Sequence, residues 1–309
     1  MQLIKPKFWD KRHLTIQALL LYPFTFILDL RKILTIFIKS KKYTNIKTIC
    51  VGNIYLGGTG KTPLVGSLAK FLKKQFKTAI IKKRYQSHLD EKRLLEKNYK
   101  VFFKKKREIS LLEAIKRKFE LAIFDDGLQD EIIKYDLKIV CFNSLTLAGN
   151  KLRIPAGPLR ETLENLKKYD AAFITGEKKE KDFSKKIKKI NPKMAIFNGE
   201  HISLNYHNYQ KGNYLVFSGI GNPNNFQRIL RKYNIKFKSN LIFPDHYDYS
   251  KNDIAKIKEI AKNKKLKILT TEKDYYRIPL NLRKNINYLK IELKIENLNE
   301  FKNFVIKYL

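Results

Sequence analysis

Short apolar runs alternate with polar, helix-forming stretches along most of the chain. Runs that are rich in β-branched and aromatic residues predict strands. Five such runs occur in the first half of the sequence: Thr48–Val51, Thr78–Ile81, Tyr99–Phe103, Leu121–Phe124 and Leu137–Phe142. The helical patterns between them indicate a P-loop NTPase-like α/β domain built on a mainly parallel sheet.

A second series of apolar runs follows, separated by lysine-rich segments that can form solvated helices. Its members are Ala171–Thr175, Tyr214–Ser218, Leu241–Phe243 and Ile268–Thr270. These runs predict a second, smaller α/β domain. The proline- and glycine-rich segment Ile154–Glu161 lies between the two series and is interpreted as a hinge. We therefore predict one domain at residues 1–150 and another at residues 151–309.

The amino-terminal segment Leu14–Ile38 is largely apolar, but Pro23 and three charged residues interrupt it. Its uncharged part, Leu14–Leu28, has 15 residues, whereas a spanning helix needs roughly 20. No small-residue cleavage site follows, so we expect neither a transmembrane span nor a signal peptide. The flanking lysines and arginines suit an interfacial helix on an anionic membrane surface. A helix packed on the protein's own core is the alternative.

The composition adds a strong positive charge to this picture. Among 309 residues, 65 lysines and arginines oppose 29 aspartates and glutamates, which gives a formal net charge of +36. Nucleic acid, a phosphorylated lipid and an anionic membrane all fit this charge, as does a lysine-rich composition without functional meaning. Cys50 and Cys141 lie in apolar runs without disulfide or metal-ligand spacing, which fits a reducing cytoplasm.

The clearest chemical signal is GGTGKT at Gly57–Thr62, between an apolar strand and a helical pattern at Pro63–Phe76. This order is typical of a P-loop, in which backbone N–H groups enclose phosphates. Lys61 can reach the β and γ phosphates, and Thr62 can ligate magnesium. Where the strict pattern has a glycine, this chain has Tyr55. The predicted nucleotide-binding residues are Tyr55, Leu56, Gly57, Gly58, Thr59, Gly60, Lys61 and Thr62.

Two further signals fit phosphoryl transfer. The strand Leu121–Phe124 ends in Asp125 and Asp126, as in a Walker B motif that holds the magnesium shell. His246 follows another apolar strand and is next to Asp245, so it is a candidate proton acceptor. Taken alone, each signal also fits an alternative without a catalytic role. The aspartates would then form a turn, and the histidine would be a packed or surface residue.

Six motifs occur in the order seen in tetraacyldisaccharide 4′-kinases, and the chain resembles this family from Val51 to Arg277. The motifs are VGNIYLGGTGKTP, FDDGLQD, PAGPLRE, SGIGNPNNF, FPDHYDY and TTEKDYYR. The resemblance implies a two-domain α/β enzyme with a nucleotide cleft between its lobes and a helix on the cytoplasmic face of the inner membrane. It implies that ATP, with Mg2+, phosphorylates the 4′-hydroxyl of an acylated glucosamine disaccharide 1-phosphate.

The resemblance also implies residue roles. Lys61 and Thr62 contact the nucleotide phosphates and magnesium, and Asp125 and Asp126 belong to the metal region. Arg160 and Glu161, in PLRE, reach the γ phosphate and the metal shell. His246, in the DH motif, acts near an aspartate that helps to activate the sugar hydroxyl, and Asp90 is the best match for that aspartate.

The sequence departs from the family pattern in two segments. KKRYQ at Lys82–Gln86 replaces the usual SRGYG, and Asp130 stands where a histidine is usual. These departures leave substrate positioning open, and they do not touch the P-loop. Two other classes remain as alternatives: a membrane-associated P-loop ATPase that switches partner binding, and a basic nucleic-acid-binding module. The second has no recognisable motif in its favour.

Overall fold

The computed structural model describes residues 6–11, 13–26, 40–85, 89–177 and 180–309. The chain forms two compact units. The large unit comprises Met1–Arg84, Asn98–Glu200 and Ile295–Leu309, and the small unit comprises Tyr85–Lys97 and His201–Lys294. Each unit has its own parallel sheet, so the predicted α/β class is confirmed.

The elements follow one another in the alternating order that the sequence predicts. The strands are β1 (Lys47–Gly52), β2 (Thr78–Lys83), β3 (Lys100–Lys104), β4 (Leu121–Asp125), β5 (Leu137–Asn143), β6 (Ala171–Thr175), β7 (Ala195–Ser203), β8 (Asn213–Ser218), β9 (Lys236–Ile242), β10 (Lys267–Thr271), β11 (Ile286–Leu289) and β12 (Ile291–Ile295). The α-helices are α1 (Ile16–Leu21), α2 (Lys61–Leu72), α3 (Leu89–Glu96), α4 (Arg107–Lys116), α5 (Lys181–Ile190), α6 (Pro223–Lys232), α7 (Lys251–Asn263), α8 (Glu272–Arg277) and α9 (Leu298–Ile306). Short 3-10 helices lie at Lys7–Asp10, Tyr22–Phe26, Leu163–Lys168, Tyr206–Tyr209 and Leu280–Leu282.

The larger sheet has eight strands in the order β12-β7-β6-β5-β1-β4-β2-β3. Its central strands β1 and β4 are buried almost throughout, as expected for parallel strands that are covered on both faces. Helix α2 buries an apolar stripe that begins at Leu64 and ends at Leu72. The helix begins two residues before the predicted Pro63 and ends four residues before Phe76. The order of strands puts β1 and β4 side by side at the sheet centre.

The predicted domain boundary after residue 150 is not where the structure divides the chain. Strands β6 and β7 extend the large sheet beside β5, so the large unit continues to Glu200. The strand prediction at Ala171–Thr175 was correct, but its assignment to the second domain was wrong. An apolar run predicts a strand without identifying the neighbour with which that strand pairs.

The segment Ile154–Glu161, interpreted as a hinge, lies inside the large unit. Leu56 donates its N–H to the Pro158 carbonyl at 2.8 Å, and Arg160 donates its N–H to the Ile54 carbonyl at 2.7 Å. These hydrogen bonds tie the segment to the residues that follow β1. The proline and glycine residues therefore shape a loop of the large unit instead of separating two domains.

The small unit has a four-stranded sheet in the order β11-β10-β8-β9, and all three pairings are parallel. Helix α7 begins with a capping box in which Ser250 and Asp253 satisfy each other's free backbone N–H groups. Its buried face packs in a cluster with Leu215 and Phe217 of β8. This packing gives the small unit a core of its own.

The amino-terminal residues pack on the protein near Trp9, whereas many of the residues that follow are exposed. Trp9 is buried and donates from Nε1 to the Pro155 carbonyl at 3.0 Å. In the following segment, Ala18 is buried, whereas Ile16 and Leu20 are 77% and 69% exposed. No helix in the described ranges is long and apolar enough to cross a bilayer. The rest of the predicted interfacial segment, residues 27–38, lies outside the described residues.

Candidate functional site

The glycine loop connects β1 to α2 and is shaped by the buried side chain of Asn53. Asn53 Nδ2 donates to the Tyr55 carbonyl at 2.6 Å and to Thr59 Oγ1 at 2.9 Å. Gly60 immediately precedes α2 and has a φ of 86°, a left-handed conformation that favours glycine. A Cβ atom at Gly60 would lie 2.8 Å from Thr175 Oγ1. Both the backbone angle and the space therefore require glycine at this position.

Lys61 and Thr62 occupy the first turn of α2 and face the end of β4. Thr62 Oγ1 donates to Asp125 Oδ2 at 3.0 Å, and Lys61 Nζ lies 3.8 Å from Asp126 Oδ1. The pairing of β1 with β4 explains this geometry, because Val51 and Asp125 are register partners. The carboxyl ends of parallel strands are where α/β proteins bind ligands. The structure therefore brings the predicted P-loop and Walker B residues together.

Asp126 turns away from the strand direction and joins two cations. Its φ of 62° is left-handed, a conformation that aspartate tolerates better than most residues. Arg160 Nη1 lies 3.0 and 3.1 Å from the two carboxylate oxygens of Asp126. Burial alone would raise the pKa of Asp126, but the charges of Lys61 and Arg160 outweigh it and lower the pKa below its usual range. The carboxylate is therefore ionised at neutral pH and fixes both cations.

Glu161 is buried and tied to neutral donors. It accepts hydrogen bonds from Gln129 Nε2 at 2.6 Å, Asn165 Nδ2 at 2.7 Å and the Tyr169 hydroxyl at 3.1 Å. Burial and the nearby Glu161 charge raise the pKa of Tyr169, so its hydroxyl keeps its proton. Arg160 Nη1 lies 3.3 Å from Gln129 Oε1, which links Glu161 to the arginine. Gln129 was not singled out from the sequence, although it lies in the quoted motif FDDGLQD.

Asp130, which replaces a histidine of the family pattern, pairs with a buried arginine. Arg107 Nη1 donates to Asp130 Oδ2 at 3.2 Å, and Arg107 Nη2 donates to the carbonyl of Asp126. Arg107 thus supports the turn that presents Asp126. The sequence carried no local signal for this pair, because the rest of helix α4 and all of strand β4 lie between Arg107 and Asp130 along the chain.

Lys82, the first residue of the departing segment KKRYQ, lies inside the site. Lys82 as a whole is 4% exposed, and its Nζ lies 2.5 Å from Asp125 Oδ2. The pairing of β2 with β4 places Lys82 and Asp125 in register. Lysine is rarely buried without a partner, so hydropathy alone predicts it on the surface. Sequence reasoning therefore missed this residue as part of the site.

The oxygen atoms near Asp125 fit a magnesium ion. Asp125 Oδ1 is buried without a hydrogen-bond partner among the described residues, and Thr62 Oγ1 lies beside Oδ2. Among the described side chains, no group of three or more histidines, cysteines and carboxylates could hold a metal. Mg2+ does not need such a group, because it usually combines one or two protein oxygens with water and substrate phosphates.

His246 belongs to the small unit and contacts an arginine. Arg277 Nη2 lies 3.4 Å from His246 Nδ1, and Asp245 Oδ1 lies 3.8 Å from His246 Nε2. Arg277 is held in turn by Asp274, which is fully buried and lies 3.0 Å from Arg277 Nη1.

Asp274 is the centre of a hydrogen-bond network in the small unit. It accepts from Thr271 Oγ1 at 2.6 Å, the Tyr249 hydroxyl at 3.0 Å and the Gly219 N–H at 3.0 Å. Three of the motifs quoted from the sequence contribute residues to these contacts, namely SGIGNPNNF, FPDHYDY and TTEKDYYR. The network fixes the orientation of Arg277 beside the histidine.

Three other predicted residues differ in how the structure presents them. Asp90 is in α3, which belongs to the small unit, and its side chain is outside the described part of the chain. Tyr55 is buried, and its hydroxyl bonds Asp10, whereas Leu56 is 39% exposed. Burial, with the charge of Asp10, raises the pKa of Tyr55. Tyr55 and Leu56 therefore contribute backbone to the loop.

Comparisons with known proteins point to one family. The family model described as tetraacyldisaccharide-1-P 4′-kinase matches residues 15–309. The chain is 48% identical to a tetraacyldisaccharide 4′-kinase of Pelagibacter ubique over 99% of this chain and 98% of the relative. It is 33% identical to the protein of the same name from Rickettsia canadensis, over 99% and 98% of the two chains.

A solved structure has the same fold over nearly the whole chain. It is the "apo" form of LpxK from Aquifex aeolicus in complex with ATP. Its TM-score is 0.73 at 25% sequence identity, and the match covers 95% of this chain and 99% of that chain. The similarity therefore includes both the phosphate loop and the small unit.

We expect Gly60→Ala to lower the affinity for ATP by about tenfold or more, because the left-handed backbone and the contact with Thr175 both oppose a Cβ atom. Equilibrium titration with ATP measures this effect. Gly66→Ala is the matched control, since Gly66 lies in helix α2, which follows Gly60, and a Cβ atom there would have no neighbour within 4 Å. Equal ATP affinity in both variants would contradict the assigned role of Gly60.

Proposed function

Because the chain belongs to the tetraacyldisaccharide 4′-kinase family, it transfers a phosphoryl group from ATP to the 4′-hydroxyl of a tetraacyldisaccharide 1-phosphate, and we propose the roles of its residues in that reaction. One observation carries the proposal: Lys61 faces Asp126 while Thr62 contacts Asp125. Phosphoryl transfer depends mainly on positioning and on stabilising charge, with little covalent work by the protein.

On the donor side, backbone N–H groups of Gly57–Gly60 hold the phosphates, and Lys61 neutralises their charge. Asp126 keeps Lys61 and Arg160 close together before the nucleotide binds. Two cations held by one carboxylate are preorganised for a polyphosphate, because little reorganisation is needed when the charge arrives. Arg160 supplies a planar fork that can engage two phosphate oxygens at once.

Thr62 and Asp125 would hold Mg2+, and Glu161 would orient Gln129 and the arginine loop at the rim of that site. When bound there, Mg2+ would supply positive charge that offsets the charge developing on the phosphate oxygens. The unpartnered Asp125 Oδ1 supports this assignment, because a buried oxygen without a donor is available to a cation.

On the acceptor side, His246 or Asp90 would take up the proton of the sugar hydroxyl. Both residues belong to the small unit, whereas the P-loop belongs to the large unit. Arg277 beside Nδ1 keeps the His246 ring in one orientation, which supports a role in proton transfer. The alternative, a P-loop ATPase that switches partner binding, needs neither residue, and the family match over residues 15–309 does not favour it.

The decisive experiment measures transfer of labelled γ phosphate from ATP to a tetraacyldisaccharide 1-phosphate in detergent micelles. We expect the wild type to form a bisphosphorylated lipid, and Lys61→Ala to lower turnover by about 100-fold or more, because phosphate charge loses its stabilisation. Lys70→Ala, an exposed lysine of the same helix, is the control. Hydrolysis of ATP without any labelled lipid would instead support the ATPase switch.

We expect His246→Ala to lower kcat by about 100-fold while the affinity for ATP stays near that of the wild type, because a proton acceptor acts in the transition state. Steady-state kinetics with both substrates varied separates the two effects. His207→Ala removes an exposed histidine of the small unit and should behave as wild type. Wild-type kcat in His246→Ala would remove His246 from the proposed mechanism.

The enzyme is also proposed to work at the cytoplasmic face of the inner membrane, held there through its amino-terminal segment. Seven apolar or aromatic side chains of this segment are exposed among the described residues: Leu14, Ile16, Leu19, Leu20, Tyr22, Phe24 and Phe26. Exposed apolar patches of this kind commonly mark interaction sites. The protein has a net charge of +36, so an anionic membrane would attract it. The exposed apolar side chains would then enter the membrane interface. The acyl chains of the substrate could then remain in the bilayer.

We expect the double variant Leu19→Ser and Leu20→Ser to bind anionic phospholipid vesicles roughly tenfold or more weakly, because two leucines no longer bury apolar surface. Sedimentation with vesicles measures the bound fraction. Leu280→Ser is the control, since Leu280 is an exposed leucine of the small unit, at 80%. If the double variant and the control bound vesicles equally, the segment would have no part in membrane attachment.

A further inference from the structure

Lys82 introduces a cation into the region proposed for magnesium. Its side chain is 5% exposed and that of Asp125 is fully buried, with 2.5 Å between Nζ and Oδ2. The oxygen that Lys82 contacts is the same one that accepts the hydrogen bond of Thr62. A lysine and a P-loop threonine therefore share one carboxylate oxygen of the Walker B aspartate.

A buried ammonium and a magnesium ion exclude each other at such a site. Two like charges only a few ångströms apart repel strongly in a buried site of low dielectric constant, and a divalent ion doubles this repulsion. Mg2+ at the unpartnered Oδ1 of Asp125 would share the single negative charge of this carboxylate with the ammonium on Oδ2. Asp125 can thus serve one of the two cations well, but not both.

We propose that Lys82 is a resident counter-ion that neutralises Asp125 in the metal-free enzyme and competes with Mg2+ for this carboxylate when the nucleotide binds. The proposal rests on the proposed magnesium site. Its reason is energetic, because a buried carboxylate without a paired charge would be strongly destabilising. Lys82 thereby weakens the linkage between Mg2+ and ATP, since part of the metal's binding energy is used to displace the ammonium.

The test compares the affinity for a non-hydrolysable ATP analogue in EDTA and in saturating Mg2+. The ratio of the two dissociation constants measures the coupling between metal and nucleotide. We expect Lys82→Met to increase this ratio by about tenfold relative to the wild type, because Mg2+ no longer competes with an ammonium. Lys82→Gln, which can still donate to Asp125, provides the same comparison if the methionine variant does not fold.

Lys104→Met is the matched control. It removes a lysine from the neighbouring strand β3, where Lys104 forms an ion pair with Glu113 at 3.5 Å and its side chain is 52% exposed. A surface pair contributes little to stability. Lys104→Met should therefore keep the wild-type coupling ratio, although it removes one positive charge just as Lys82→Met does.

A second readout follows unfolding without nucleotide. We expect Lys82→Met to melt at a lower temperature than Lys104→Met, because only the former leaves Asp125 buried and unpaired. Lys82→Met combined with Asp125→Asn should recover most of the lost stability, since neither charge then remains.

The outcomes separate this inference from the function on which it rests. An equal coupling ratio in the wild type and the Lys82 variants would overturn competition by Lys82, while the magnesium site would stand. If Mg2+ changed nucleotide affinity in none of these proteins, both the magnesium site and the inference would fail. Transfer of phosphate to the lipid is measured separately, so absence of kinase activity with an increased ratio would overturn the function alone.

Discussion

The two consecutive aspartates at the end of β4 are the constraint on which the phosphate site depends. Because β4 lies between β1 and β2, Asp125 has Val51 as its register partner on one side and Lys82 on the other. The loop after β1 therefore approaches the same carboxylate that the end of β2 approaches. Burying carboxylates costs several kcal/mol unless cations pair with them. The cations around this edge of the sheet are a consequence of that burial.

Sequence patterns predicted the local elements well and their partners less well. The runs at Thr48–Val51 and Leu121–Phe124 correspond to β1 and β4, because burial on both faces requires continuous apolar sequence. The run at Ala171–Thr175 is equally apolar, yet nothing in it shows that the strand pairs with β5. The error in the domain boundary has this origin. Pairing depends on contacts between residues far apart in the chain, which a local pattern does not contain.

The candidate site shows the same division between local and distant information. Lys61, Thr62, Asp125 and Asp126 could be predicted because each belongs to a short motif next to a strand. Lys82 could not, since its burial is made favourable by Asp125, which lies 43 positions away in the sequence. The position of Arg160 followed from the family resemblance alone. Its physical cause is the pair of hydrogen bonds between the residues after β1 and the segment that contains Pro158.

The net charge of +36 acquires a clearer meaning from the buried ion pairs. Lys82, Arg107 and Arg277 are buried or nearly so, and each faces a carboxylate: Asp125, Asp130 and Asp274, respectively. The substitution at Asp130 is thus balanced inside the protein by Arg107. Since these buried cations are neutralised locally, the excess of positive charge must lie on the surface. A lysine-rich composition can explain how many lysines there are, but it does not change what their surface potential does. Near an anionic bilayer each such residue contributes about 1 kcal/mol of attraction. The same excess would hold a lipid phosphate near the enzyme, so compositional bias and function need not be competing explanations.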